Sequence, residues 1–135
     1  MPNQPAAMPA EQAKAEGAHP LIGGEAYPES EVGTGMFVRP TVYAGVKPGW
    51  RIAREEIFGP VLVTMPFADE GQAIALANDT EYGLIGAVWS GDAARGIRVA
   101  EQIKVGQVTV NGGALSIETP LGGYKHSGYG REKGL

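Results

Sequence analysis

The chain has 135 residues, a formal net charge of −4, 43% hydrophobic residues and no cysteine. That length allows one domain at most, and the composition is globular rather than disordered. Mixed charges with an acidic excess leave no footprint for nucleic acid or an anionic membrane surface, and the missing thiol excludes a disulfide scaffold, a thiolate metal site and a cysteine nucleophile within these residues. No apolar run approaches the ~20 residues that span a bilayer, and no basic-then-apolar signal pattern opens the chain. The absence of disulfides agrees with a cytoplasmic protein.

Residues 1–10, MPNQPAAMPA, carry three prolines and no periodicity, so a disordered tail is expected there. The rest, 11–135, is expected to form the folded part. Glu11 to Ala18 reads as a short helix that must dock to persist. His19 to Gly24 reads as an extended piece ending at a Gly-Gly turn, and Glu25 to Gly35 as loop. Met36 to Tyr43 reads as extended, with Pro40 confining it to an edge strand or irregular ribbon. Ala44 to Trp50 is turn, and Arg51 to Glu55 one helical turn stopped by Gly59-Pro60.

From Val61 the pattern becomes regular. Val61 to Phe67 reads as a strand. Asp69 caps the next helix, with Gln72 placed to reach back and Ala73, Ile74 and Ala77 forming its apolar stripe. Asn78 to Thr80 end that helix, and Gly83 is expected at a positive φ. Leu84 to Trp89 is nearly continuous in apolar residues, the mark of a strand buried on both faces. Asp92 caps a second helix, with Ala93, Ile97, Ala100 and Ile103 inward and Gly106 as its C-terminal glycine. Gln107 to Val110 is another strand. The order is β-α-β-α-β, which predicts an α/β fold with a mostly parallel sheet. A glycine-rich loop region without periodicity follows, from Asn111 to Leu135.

Four stretches in this order, EEIFGPVL, ALANDTEYGL, VTVNGG and PLGGYKHSGYGRE, closely resemble the NAD(P)-dependent aldehyde dehydrogenase superfamily. The likeness runs from about Glu11 to Leu135 and corresponds to the C-terminal part of that family's catalytic domain only. The resemblance implies a partial catalytic domain over 11–135. It also implies that Glu56 accepts hydrogen bonds from the nicotinamide-ribose hydroxyls of NAD or NADP, and that Phe58 packs beside the nicotinamide. A carboxylate offers two acceptor oxygens to a vicinal diol. The position of Leu121 faces the family's aldehyde tunnel, and Leu115, in the variable part of the same loop, is placed to do likewise. Gly112 and Gly113 stand where many members carry bulkier residues.

The family's catalytic Cys, general-base Glu, oxyanion-stabilising Asn and Rossmann-type cofactor domain all precede the matched region. No residue here is therefore assigned a catalytic role. The expectation is a C-terminal fragment of an enzyme oxidising aldehydes to carboxylic acids with NAD(P)+, inactive alone. The alternative is a non-enzymatic module that associates with itself or with a full-length relative. Other features weigh less. Gly128, Gly130 and Gly134 have the wrong spacing for a dinucleotide loop. His19 and His126 lack metal-ligand spacing. Ser127 has no His/Asp constellation close in sequence, and nothing orients Ser116 with Glu118.

Overall fold

A computed structural model describes residues 12–25, 27, 37–113 and 118–134. The expected tail at 1–10 and most of the loop read at 25–35 lie outside these residues. The chain divides into two compact units, Met1–Pro66 and Phe67–Leu135.

The first unit is built on a three-stranded sheet in the order β1 (His19–Ile22), β2 (Thr41–Ala44), β3 (Val61–Val63). β1 runs antiparallel to β2, and β2 parallel to β3. Pro40 does not push β2 to an edge. It stands one residue before the strand, so no ladder hydrogen bond is lost, and β2 is the central strand. β3 is shorter than expected and stops before Pro66.

Side chains alternate across a strand. Thr41 and Tyr43 therefore point to one face, where Tyr43 is fully buried with Ala13, Ala18, Val46 and Ile52. The expected N-terminal helix is present at residues 12–15 and docks through Ala13. It ends in a turn where Gly17 takes a φ of +88°, a conformation that favours glycine. Glu16, in that turn, does the capping that Trp50 cannot. Its carboxylate accepts from the backbone N–H of Arg51 at 2.7 Å and of Ile52 at 3.4 Å, at the start of α1 (Arg51–Arg54).

The second unit holds α2 (Glu70–Asn78), β4 (Tyr82–Gly83), β5 (Ile85–Val88), α3 (Ala93–Ala100), β6 (Gln107–Val110) and β7 (Tyr124–Lys125). Asp69 caps α2 by accepting from Gln72 N–H at 2.8 Å, and Gln72 reaches back to accept from Ala68 N–H at 2.6 Å. Asp92 caps α3 through Arg95 N–H at 3.1 Å. β5 and β6 pair in parallel with α3 between them in sequence, the expected β-α-β crossover. β4 pairs antiparallel with β7, a strand inside the stretch expected to be loop. The fold class is the α/β class expected, with the pairings distributed over three small sheets.

Three local expectations change. Gly83 does not have a positive φ. It is required because a Cβ there would come within 2.9 Å of Lys104 O. Gly106 is not a helix cap, since α3 already ends with Glu101 as its cap. A Cβ on Gly106 would overlap Gly122 O, so this glycine permits a close crossing of two backbones. Finally, α3 meets the β5–β6 pair through Gly96, where a Cβ would lie 2.9 Å from Val110 Cγ1, and Ile97 is left exposed.

The stretch NDTEYGL is structural, as its turn chemistry implied. Asn78 Nδ2 donates to Gln102 O at 2.8 Å and its Oδ1 accepts from Lys104 N–H at 2.7 Å. Lys125 Nζ donates to the carbonyls of Asn78 and Thr80, both at 3.0 Å. Among the described residues no helix is long and apolar enough to cross a membrane.

Candidate functional site

The EEIFGP stretch leaves α1 through Glu55, whose φ of −92° and ψ of 143° are already extended. Two consecutive three-residue turns follow, Gly59 N–H to Ile57 O and Val61 N–H to Gly59 O, both at 2.8 Å. Ile57 packs against the core of the first unit, so its neighbours are turned outward. Phe58 is 93% exposed, far more than an aromatic ring with no polar group adopts without a reason. The stretch lies at the amino end of β3. Ligands in open parallel sheets usually gather at the carboxyl ends, so position alone does not argue for a site here.

The two adjacent carboxylates are chemically different. Glu55 is held by Arg51 one helical turn earlier, Nε to Oε1 at 2.6 Å and Nη2 to Oε2 at 2.7 Å. These charge-assisted bonds hold the Glu55 carboxyl below the usual carboxylate range. The same Arg51 donates through Nη1 to Gln12 Oε1 at 3.0 Å, so Glu55 belongs to a surface network that ties the N-terminal helical segment to α1. Glu56 is exposed and makes no hydrogen bond or ion pair with another described residue. Both of its oxygens stay available, beside an exposed ring two residues on. That donor-free pair fits a ligand bearing a vicinal diol next to a flat apolar group.

Leu121 lies in the second unit and is half-buried. Its main chain is bridged to Glu132, with Leu121 N–H to Glu132 O at 2.6 Å and Glu132 N–H to Leu121 O at 2.7 Å. Gln107 Nε2 holds the preceding turn through Pro120 O at 2.7 Å. Arg131 braces the following one. Its Nη1 donates to Gly123 O at 2.9 Å and Gly130 O at 2.8 Å, and its guanidinium lies 4.5 Å from the centre of the Tyr124 ring. Sequence reasoning missed this bracing because the segment has no periodicity. Leu115 and Ser116 lie outside the described residues. Glu56 and Phe58 thus belong to the first unit and Leu121 to the second.

The lesser candidates have structural roles. Ser127 Oγ accepts from Gly83 N–H at 3.0 Å. His126 Nδ1 lies 3.4 Å from Glu81 Oε2, with its ring edge-on to Tyr82. No helix follows Gly128 and Gly130 among the described residues, and there is no cluster able to hold a metal ion among them.

Residues 7–135 match the model of the aldehyde dehydrogenase family. The chain is 50% identical over 123 residues to a 3-succinoylsemialdehyde-pyridine dehydrogenase from a Pseudomonas species, covering 91% of this chain and 26% of that one. It is 48% identical over 126 residues to a betaine aldehyde dehydrogenase from Brucella anthropi, covering 93% and 26%. The fold superposes on a Mycobacterium tuberculosis aldehyde dehydrogenase complexed with NAD+, with a TM-score of 0.90, 44% identity and coverage of 96% and 26%. A Pseudomonas syringae aldehyde dehydrogenase complexed with NAD+ and octanal gives 0.91, with 40% identity and coverage of 96% and 27%. The chain therefore spans about a quarter of the length of the curated relatives it matches. On the match of almost its whole length, at close to half identity, the chain belongs to the aldehyde dehydrogenase family.

Proposed function

We propose that residues 11–135 form part of one catalytic domain of an NAD(P)-dependent aldehyde dehydrogenase and supply part of its cofactor and substrate walls. The observation that carries this is the division of labour at EEIFGP: Arg51 occupies Glu55 and leaves Glu56 with two free acceptor oxygens beside the exposed Phe58 ring. Glu56 accepts from the two hydroxyls of the nicotinamide ribose. Phe58 limits the wandering of the nicotinamide. Leu121 and Leu115 shape the aldehyde entrance, and the clamp of Gln107, Arg131 and Glu132 holds Leu121 in place. NAD(P), when bound, supplies the hydride acceptor.

With no cysteine in these 135 residues, the thiolate that attacks the aldehyde must come from outside them. This polypeptide alone is therefore expected to give no aldehyde-dependent NADH. The cytoplasmic placement expected from the sequence belongs to the same reading. To test the site, residues 7–135 replace the matching quarter of the Brucella anthropi enzyme, and Glu56→Gln is compared with Glu55→Gln. One weakened charge-assisted hydrogen bond is worth about 1.5 kcal/mol, so Glu56→Gln should raise the cofactor KM about tenfold. Glu55→Gln should leave it unchanged. Equal effects, or an effect of Glu55→Gln alone, refute the assignment.

A second reading is favoured by a different observation. Among the described residues, Ile22 on β1 and Leu62 on β3 are exposed on either side of half-buried Val42, an apolar row that suits a non-enzymatic module that associates with itself or with a full-length relative.

A further inference from the structure

α1 is a single helical turn, Arg51–Arg54, far below the ~12 residues at which a helix begins to hold by itself in water. Its direction is therefore set by what touches it. Beneath it, Ile52 is buried in the core of the first unit. At its start Trp50 gives no side-chain cap, and the half-buried Glu16 takes that place. The Glu16 carboxylate accepts from Arg51 N–H at 2.7 Å and from Ile52 N–H at 3.4 Å, while Ala53 N–H goes to Trp50 O at 3.0 Å. The first three N–H groups of the turn are thus all occupied, two of them by one side chain.

Glu16 is itself held. It stands in the turn between Ala13 and Ala18, both buried, and Ala18 N–H closes that turn on Ala13 O at 2.8 Å. Gly17, with its φ of +88°, lets the chain reverse there. On the same segment, Gln12 Oε1 accepts from Arg51 Nη1 at 3.0 Å. The first residue of α1 is therefore grasped twice by residues 12–16, once by its backbone and once by its guanidinium.

Glu56 follows α1 after one extended residue, Glu55, and precedes Ile57, which packs against the core. It hangs between two anchors, and α1 is one of them. We infer that Glu16 is a positioning residue for the cofactor: by fixing the start of α1 it aims the Glu56 carboxylate, without touching the cofactor itself. The inference deepens the reading of Glu56 as the acceptor for the ribose hydroxyls and rests on that reading. Placement matters because two acceptor oxygens must meet two hydroxyls at once. Glu55 stands outside this line of support, since Glu55→Gln keeps an oxygen for Arg51 and leaves the caps of α1 in place.

The test uses the Brucella anthropi enzyme carrying residues 7–135 of this chain. It reads the dissociation constant of NADH by fluorescence, beside the KM of NAD+ and of betaine aldehyde. Glu16→Ala should weaken NADH binding about threefold to tenfold and raise the KM of NAD+ in step, with the aldehyde KM unchanged. Glu16→Gln keeps an oxygen for the Arg51 N–H and should stay within about twofold of the parent. Because Glu16 works through Glu56, Glu16→Ala should add less than about twofold to the effect of Glu56→Gln. Asn78→Ala, which removes two hydrogen bonds in the second unit, should lower the urea midpoint and leave NADH binding as it was. If Glu16→Ala loses its circular dichroism signal, Glu16→Asp, one methylene shorter, takes its place and must weaken NADH binding in the same sense. The inference falls if Glu56→Gln weakens binding and Glu16→Ala does not, if the two losses simply multiply, or if Asn78→Ala weakens NADH binding as much as Glu16→Ala. A Glu56→Gln enzyme that binds NADH like the parent overturns the cofactor reading, and this inference with it.

Discussion

Arg51 and Glu55 are four residues apart on one helical turn, a spacing at which opposite charges meet. In the sequence, Arg51 to Glu55 reads only as a helical turn, and the pattern does not single out the pair. The choice of Glu56 rather than Glu55 as the proposed cofactor contact came from the family resemblance and not from the spacing. Tyr43 was legible only as part of an extended run. It is the largest fully buried side chain, and its hydroxyl has no hydrogen-bond partner among the described residues. An unsatisfied buried hydroxyl costs about 1–3 kcal/mol. Tyr43→Phe should therefore raise the stability of the free chain, by up to about 1 kcal/mol in urea unfolding at pH 7. Burial also raises the phenol above its ordinary value of 10.0. On titration the unfolded chain ionises first, so stability is full below 10.0 and falls as pH rises through the higher folded value. The gain from Tyr43→Phe should be larger at about pH 11 than at pH 7. An equal or lower urea midpoint for Tyr43→Phe at both pH values would mean that the hydroxyl is satisfied after all.

α2 shows what a local signal can and cannot reveal. Its start was written in Asp69 and Gln72, and its end in Asn78 to Thr80. The sequence did not show that the last residue of α2 also fastens the turn after α3. Asn78 does so with two hydrogen bonds, to Gln102 O and from Lys104 N–H. Asn78→Ala removes both and should cost about 1–2 kcal/mol. Asn78→Asp keeps the acceptor for Lys104 and loses the donor, and should cost about half as much. Urea midpoints separate the two, and equal losses would point to backbone propensity as the cause. Other elements were misjudged for related reasons. Gly106 sits near a helix end in sequence, but its role is set by Gly122, a contact that no local pattern encodes. The stripe of Ala93, Ile97, Ala100 and Ile103 is inward only at its end, where Ala100 is half-buried and Ile103 packs at Gly86, while Ala93 and Ile97 are exposed because a glycine, Gly96, makes the closest approach to Val110. Strand pairing is non-local too, so the division into three sheets was invisible. The helices, the parallel β5–β6 pair and its crossover were visible because each is set by capping and period.

Among the described residues the buried apolar side chains lie in the first unit: Ala13, Ala18, Tyr43, Val46 and Ile52. Among the described residues of the second unit, the buried positions are Gly83, Gly96 and Gly123, none of which brings a side chain. The second unit is held by hydrogen bonds, caps and close backbone crossings, and an intramolecular hydrogen bond contributes only about 1 kcal/mol net. Burying one large apolar side chain contributes about 1.5–3 kcal/mol. Opening should therefore be uneven, with the second unit at the low end. Hydrogen exchange on the free chain should show the amides of β5 and β6 exchanging at least about tenfold faster than those of β2 and β3. Uniform exchange in the free chain would mean that apolar burial does not set the difference.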